Sequence, residues 1–203
     1  DICVLQNVAL TEAEMQDVAA VVGKDLFTDE LRETLGQFEQ AKNFGSLIVP
    51  KLGAPAETLR VVNARDFGSD LLLKEMQDRV ISVLRMAEAL SPKYHVVVAN
   101  PPYMGNGGMN LKLKDWVAKN YKNSKLDLMT CFMERCLLLA RRQGYWAMLN
   151  IPTWMFGSAS QKLRALLVSD QSISSLVHIG RGLFGSDFGT AAFCIKNSRP
   201  SLD

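Results

Sequence analysis

The chain has 203 residues, 48% of them hydrophobic and 22% charged, with a formal net charge of +2. That length predicts one domain or two very small ones, and so apolar a composition excludes intrinsic disorder. The charge is too mild to name a partner, so any role with nucleic acid has to rest on local charge.

The first ninety residues read as mostly helical. Thr11-Glu12-Ala13-Glu14 is a capping box, opening a helix that runs to about Val22 before Gly23. Thr28, followed by Asp29 and Glu30, opens a second, with Leu31, Leu35 and Phe38 on one face. A turn-rich stretch follows, from Asn43 through Pro50, Gly53 and Pro55, and Leu59 to Ala64 is short enough to be a strand or an extended loop. Leu71 to Leu90 is a long helical pattern closed by Ser91-Pro92.

The second half changes character. Tyr94 to Ala99 is a β-branched run bounded by proline, which predicts a buried strand with His95 as a satisfied core histidine. Ser124 to Asp127 is another capping-box start, and the helix behind it is expected to reach Gly144 as its C′ residue. Tyr145 to Ile151 is strand-like, Ser158 to about Ser169 helical, and Ile173 to Ile179 and Thr190 to Ile195 complete a set of short strands. Strands alternating with helices imply an α/β fold with a largely parallel sheet.

Cys3, Cys131, Cys136 and Cys194 form no Cys-x-x-Cys pair, and only His95 and His178 could join them. Zinc needs about four regularly spaced ligands, so no metal is expected. Unpaired cysteines without a signal peptide point to a reducing compartment. The longest apolar run, Leu126 to Ala140, is broken by Asp127, Glu134 and Arg135. A soluble, cytoplasmic protein without a membrane span is therefore expected. Beginning Asp-Ile-Cys rather than with Met, the chain reads as a piece of something longer.

The chemistry is concentrated in Asn100-Pro101-Pro102-Tyr103, directly after the strand that ends at Ala99. In open α/β sheets, ligands bind beyond the carboxyl ends of strands. An Asn side-chain carbonyl is an uncharged acceptor that can take one hydrogen from an exocyclic amine. Pro101 lacks an N–H and holds φ near about −65°, so its carbonyl can be aimed as a second acceptor. Two acceptors on one amine pull its hydrogens out of conjugation and expose the nitrogen lone pair. Tyr103 offers a flat face for a planar substrate, and such stacking is worth about 1–3 kcal/mol per base. A rigid loop that merely ends the sheet is the bland alternative.

Downstream, five lysines (112, 114, 119, 122, 125) stand against one acid, Asp115, with Trp116 and Tyr121 between them. They suit either a solvated helix face or a phosphate-contacting surface. The loop Met104 to Asn110 is flexible by composition, able to close over a base or simply to connect. Trp146 and Trp154 flank a strand, and packing is expected of both, with the lining of a base pocket as the alternative for Trp154. Phe132, Met133, Cys136, Leu137 and Leu139 are expected in the core.

Asn-Pro-Pro-Tyr after an apolar strand resembles the catalytic motif of S-adenosylmethionine-dependent amino-methyltransferases, which act on adenine N6, glutamine or guanine. The flanks are similar to one group: the large adenine-specific DNA methyltransferases of BREX or phage-growth-limitation (PglX-like) phage defence. They include Met104-Gly105, Met109-Asn110, Ser124 to Leu128, Phe132 to Arg135, Lys162-Leu163-Arg164, and Phe184 leading to Gly189 to Phe193. The similarity is dense from about residue 93 to 197 and thin before, where Phe44 to Ile48 matches best.

The resemblance implies a partial Rossmann-like methyltransferase fold, mostly parallel in its sheet. Residues 1–92 would form a helical segment and 93–203 the catalytic half. It implies N6-adenine methylation of a flipped base in a restriction-modification or phage-defence setting. Asn100, Pro101, Pro102 and Tyr103 would be catalytic, and Tyr103, Lys112, Lys114 and Lys119 would contact substrate. The cofactor would be S-adenosyl-L-methionine, and the partners double-stranded DNA and other phage-defence proteins. The pattern departs from the family where the cofactor should sit. No Phe-x-Gly-x-Gly occurs in residues 1–99; Gly105-Asn106-Gly107 and Gly180-Arg181-Gly182 lie downstream. Asp66, before Phe67, is the one candidate toward the cofactor's adenine, and a surface turn is its alternative. The chain alone is therefore expected to be inactive. Methylation of a protein glutamine or an rRNA guanine stays open, as does a non-catalytic module that binds DNA or a defence-complex partner.

Overall fold

A threonine starts each of the first two helices. Thr11 Oγ1 accepts from Glu14 N at 3.3 Å and Glu14 Oε2 accepts from Thr11 N at 2.7 Å, opening α1, Glu12–Val22. Thr28 Oγ1 accepts from Leu31 N at 3.3 Å and opens α2, Asp29–Gln37. The computed structural model describes residues 2–23, 25–67, 70–92, 94–182 and 189–200. The chain divides into two units, Asp1–Pro92 and Lys93–Asp203.

The first unit continues with α3 (Ala41–Phe44), α4 (Pro55–Ala64) and α5 (Leu71–Leu90). Leu31, Leu35 and Phe38 are buried together with Val18, Val22, Val62, Val80 and Leu84. Each such side chain contributes about 1.5–3 kcal/mol by leaving water. Leu59 to Ala64, short enough to read as a strand, belongs to α4. Its buried residues Pro55, Thr58 and Val62 have helical spacing, and Pro55 suits a first turn. The signal was hidden because the helix begins inside the turn-rich stretch. Gln77 of α5 donates to Val62 O and Arg65 O, both at 3.0 Å, and so closes the end of α4. Buried Thr34 accepts from Leu52 N at 2.9 Å, anchoring the loop that follows.

The second unit holds β1 (Tyr94–Ala99), α6 (Leu111–Asn120), α7 (Leu128–Leu139), β2 (Ala140–Asn150), α8 (Thr153–Phe156), α9 (Gln161–Asp170), β3 (Ser172–Gly180) and β4 (Thr190–Lys196). The sheet order is β1-β2-β4-β3. Only β1 with β2 is parallel; β4 runs antiparallel to both its neighbours. The α/β class stands, but the largely parallel sheet is corrected to a mixed one. Nine residues separate β3 from β4, fewer than the dozen or so that a parallel crossover needs.

Helix α7 starts at Asp127, not Ser124, and stops at Leu139, five residues short of Gly144. Gly144 lies in β2, where a Cβ would fall 2.9 Å from both Arg141 O and His95 O. Glycine is required there by the close approach of β1, not by a helix end. Gln143, at φ 63°, precedes it, and the β1–β2 register shifts between Tyr94 and Val96.

One sheet face carries the core. Trp146, Met148, Phe193 and Ile195 pack with Met129, Met133 and Cys136 of α7, Trp154 of α8, and Leu163 and Leu167 of α9. Phe193 meets Trp146 edge-on at 5.4 Å and Trp154 at 5.3 Å. Both tryptophans pack, as expected. Phe132 packs against this cluster, while Leu137 and Leu139 are half-buried. Strand β1, predicted to be buried, is not. Val96 is 60% and Val98 75% exposed, and His95 is exposed too. Strand β1 ends the sheet among the described residues and has helices on one face, so only Val97 and Ala99 pack on the core.

Two outcomes test these placements. Arg79 of α5 donates to Glu14 and holds its carboxyl down to about 2 from 4.5, helped by the Thr11 amide. The pair's stabilisation is whole above about pH 4.5 and is lost as pH falls towards 2. In denaturant titrations, Glu14→Gln is expected to lose about 1 kcal/mol at pH 7, discounted for partial exposure, and to match the parent near pH 2. Gly144→Ala is expected to cost about 1–3 kcal/mol, because backbone on both sides leaves the methyl no room.

Candidate functional site

Strand β1 delivers Asn100 to its carboxyl end, beside the end of β2. The register that pairs Ala99 with Met148 brings the next residues, Asn100 and Leu149, together. Tyr103 O–H stands 3.0 Å from Asn100 Oδ1 and 3.0 Å from Leu149 O. A phenol has one proton to give, so two acceptors share one donor. Desolvation raises the Tyr103 phenol above its usual value, and it is a donor at neutral pH. Pro101 is buried, whereas Asn100, Pro102 and Tyr103 are exposed. The structure thus joins Asn100 to Tyr103 and, through Tyr103, to β2. The sequence gives no sign of Leu149's part, because a main-chain carbonyl carries no residue signature.

The glycine-rich segment after Tyr103 is tied down where composition predicts flexibility. Leu128 N donates to Met104 O at 2.9 Å and Asn106 N to Leu126 O at 2.8 Å, and Gly105 forms an antiparallel bridge with Asp127. The turn before α7 supplies partners that a composition reading cannot foresee. Asp127 Oδ1 accepts from Met129 N at 2.8 Å, and burial raises its carboxyl above the usual value.

Asn110 caps α6 by accepting from Leu113 N at 2.9 Å. Lys112, Lys114 and Lys119 are all exposed, but they do not converge. Seven residues apart, Lys112 and Lys119 share a stripe, while Lys114 lies about 200° round the helix from Lys112. Trp116 and Tyr121 are 5.9 Å apart. Tyr121 is buried, so its ring packs instead of offering a face to solvent.

Asp66 is exposed and follows helix α4, so the strand its cofactor reading needed is absent; Phe67 beside it is buried. Leu47 and Ile48 are core. Gly180 ends β3 and Gly182 follows it, both with positive φ. Phe184 lies outside the described residues. Burial pushes the Cys131 and Cys136 thiols up to about 12, so neither is a nucleophile at neutral pH. Among the described residues, no three His, Cys, Asp or Glu side chains are grouped to hold a metal, and no helix is long and apolar enough to cross a membrane.

Comparison with known proteins agrees with the motif. Residues 24–184 match the family model described as Eco57I restriction-modification methylase. The chain is 36% identical over 175 residues to the adenine-specific methyltransferase BrxX of Escherichia coli O9:H4 (strain HS), covering 83% of this chain and 14% of that protein. It is 34% identical over 206 residues to the adenine-specific methyltransferase PglX of Lacticaseibacillus casei (strain Zhang), covering 95% and 17%. The chain therefore spans about a sixth of the length of these relatives. Among solved structures, the M protein of the type I restriction enzyme EcoKI is similar at 15% identity and a TM-score of 0.39, covering 57% of this chain and 23% of that one.

Tyr103→Phe is expected to lower stability by about 0.5–1.5 kcal/mol, the worth of one net hydrogen bond. Denaturant unfolding reads it, and a neutral result would show that the phenol does not tie the motif to β2.

Proposed function

The chain belongs to the Eco57I restriction-modification methylase family, and from that premise we propose that it serves methylation of the N6 amino group of adenine in DNA. The observation that carries this reading is Asn100-Pro101-Pro102-Tyr103 at the carboxyl end of β1, with Asn100 Oδ1 held 3.0 Å from the Tyr103 phenol.

The adenine has to leave the duplex, at a cost of a few kcal/mol. Stacking on Tyr103 returns about 1–3 kcal/mol of that. Asn100 Oδ1 and the Pro101 carbonyl then accept the two N6 hydrogens, which holds the amine and frees its lone pair. When Asn100 turns to the substrate, the Tyr103 O–H keeps its proton and donates to Leu149 O, also 3.0 Å away. No donor is left unpaired by binding, so the motif loses little when the base arrives. Lys112 and Lys119 are assigned to backbone phosphates from their shared stripe; Lys114 serves the same charge from another side of α6.

S-adenosylmethionine is the methyl donor of this reading. The described residues do not fit it. No strand precedes β1 among them, so there is no strand-to-helix glycine turn, and Asp66 follows a helix. This chain's residues therefore act on the amine. DNA in the cytoplasm is the proposed partner, alongside other phage-defence proteins. Both relatives are named adenine-specific, which favours adenine over glutamine or guanine.

The test is N6-methyladenine in DNA, measured by nucleoside mass spectrometry, with the intact natural protein. Asn100→Ala is expected to abolish it, and methylation at the parental level would sink the assignment. Tyr103→Phe keeps the stacking face and is expected to retain more activity than Tyr103→Ala, which loses about 5–150-fold. Calorimetry of residues 1–203 with S-adenosylmethionine is expected to show no heat of binding; micromolar affinity would overturn the cofactor placement.

A further inference from the structure

The lysines that the fold brings together are not the three on α6. Lys122 and Lys125, in the turn after α6, meet Lys162 at the start of α9, forty residues along the chain. The three line a groove of about 340 Å³ with Asn123, Ser158 and Gln161. We propose that this groove grips a phosphodiester of duplex DNA. The inference rests on the DNA reading above and adds to it a defined place where the backbone is held.

Four observations carry it. The cations come from two separate segments, so their convergence is a product of the fold and not of a charge run. No carboxylate among the described residues forms an ion pair with any of them; the pairs present are Arg32–Glu12, Arg79–Glu14 and Arg199–Asp170. Asp127, which lines the adjoining pocket, is engaged in capping α7. Three like charges around one concavity repel one another, and a bound anion relieves that repulsion.

Both walls are held in place. On one, Ser124 O accepts from Thr130 Oγ1 at 2.6 Å, which fixes the turn between Lys122 and Lys125. On the other, Arg164 Nη1 donates to Trp154 O at 2.8 Å and Gly157 O at 2.5 Å, which fixes the approach to α9. That ten-residue helix begins with no side-chain cap on Ser160, so its amino end adds partial positive charge to the lysines.

The fourth observation links the groove to the motif. Leu126 lines the groove, and its carbonyl accepts from Asn106 N at 2.8 Å. The turn that carries Lys125 is thus hydrogen-bonded to the loop that leaves Tyr103. A phosphate held in the groove fixes the backbone relative to Asn100, as phosphate contacts position while base contacts specify.

The experiment compares the intact natural protein with its Lys122→Gln/Lys125→Gln/Lys162→Gln variant, using duplex binding by fluorescence anisotropy across a salt series. Each lysine that contacts a phosphate contributes about 0.9 to the slope of log K against log salt. The variant is expected to show a slope shallower by about 2–3 and affinity weaker by about tenfold or more, alike for every duplex sequence. Methylation at saturating DNA is expected to persist. A control that changes exposed Lys42, Lys51 and Lys74 of the first unit to Gln is expected to leave the slope unchanged. A variant with the parental slope and affinity, or a loss matched by that control, overturns the groove. So does a loss confined to RNA of equal length. A parent that binds duplex DNA but methylates no adenine overturns the methylation reading alone, and the salt slope still decides the groove.

Discussion

The parallel pairing of β1 with β2 is the contact on which the motif's geometry depends. Strand β1 has one hydrogen-bonded neighbour in the described sheet, so nothing else in that sheet fixes where Asn100 lies. Its register is enforced near its start, where Gly144 lets the His95 carbonyl come close enough to exclude a Cβ. From there the pairs run in step through Val96–Tyr145 to Ala99–Met148. A slip of one residue would reverse which side chains face the core and would part the Tyr103 phenol from Leu149 O. A glycine at one end of the strand therefore sets a hydrogen bond at the other.

The same strand shows an imbalance between composition and burial. Val96-Val97-Val98 has no alternation, the pattern of a strand covered on both faces. Here Val97 packs on the core while Val96 and Val98 stand exposed. Helices α7, α8 and α9 cover one face. On the other, Tyr145 and Val177 are also open. An exposed, apolar, unpaired edge is costly in water and prone to unwanted pairing. The β-branched run does form a strand, and the structure differs from the expectation only in its burial. Burial depends on neighbours, and neighbours are not a local property of the sequence.

The same division explains what else was legible. Elements announced by side-chain chemistry at a boundary were readable: the Thr11 capping box, Thr28, and the close of α5 at Ser91-Pro92. The candidate site was nominated by residue type, because Asn and Tyr carry their polar atoms and ring in their own side chains. Features made by tertiary contact were not. Helix α4 was masked by proline and glycine before it. The end of α7 was misplaced because Gly144 answers to β1. The Met104–Asn110 loop is ordered by a turn twenty residues later. Lys162 is remote in sequence from the lysines it joins. Alternation of helices and strands suggested a parallel sheet, but direction in this sheet was decided by how short the β3–β4 connection is.

The motif's chemistry also fits the modest electrostatics around it. A carboxylate at position 100 would bind an amine more strongly, yet it would carry a desolvation cost and a dependence on pH. Asn100 has no charge to shift, and its amide oxygen accepts equally well across the neutral range. In the proposed reading what has to be controlled is direction, and the Tyr103 phenol is placed to control it. With one proton and two acceptors at equal distance, it can hold Asn100 and, in that reading, release it to a substrate without leaving a polar atom unpaired. The strongest shifts in the second unit fall elsewhere, on Tyr121, Cys131 and Cys136, where burial is the first cause. Those groups are core. Perturbed titration often marks an active site, but a site of the proposed kind, aiming neutral acceptors at a neutral amine, has no need of it. Here geometry, set by register, is the better guide.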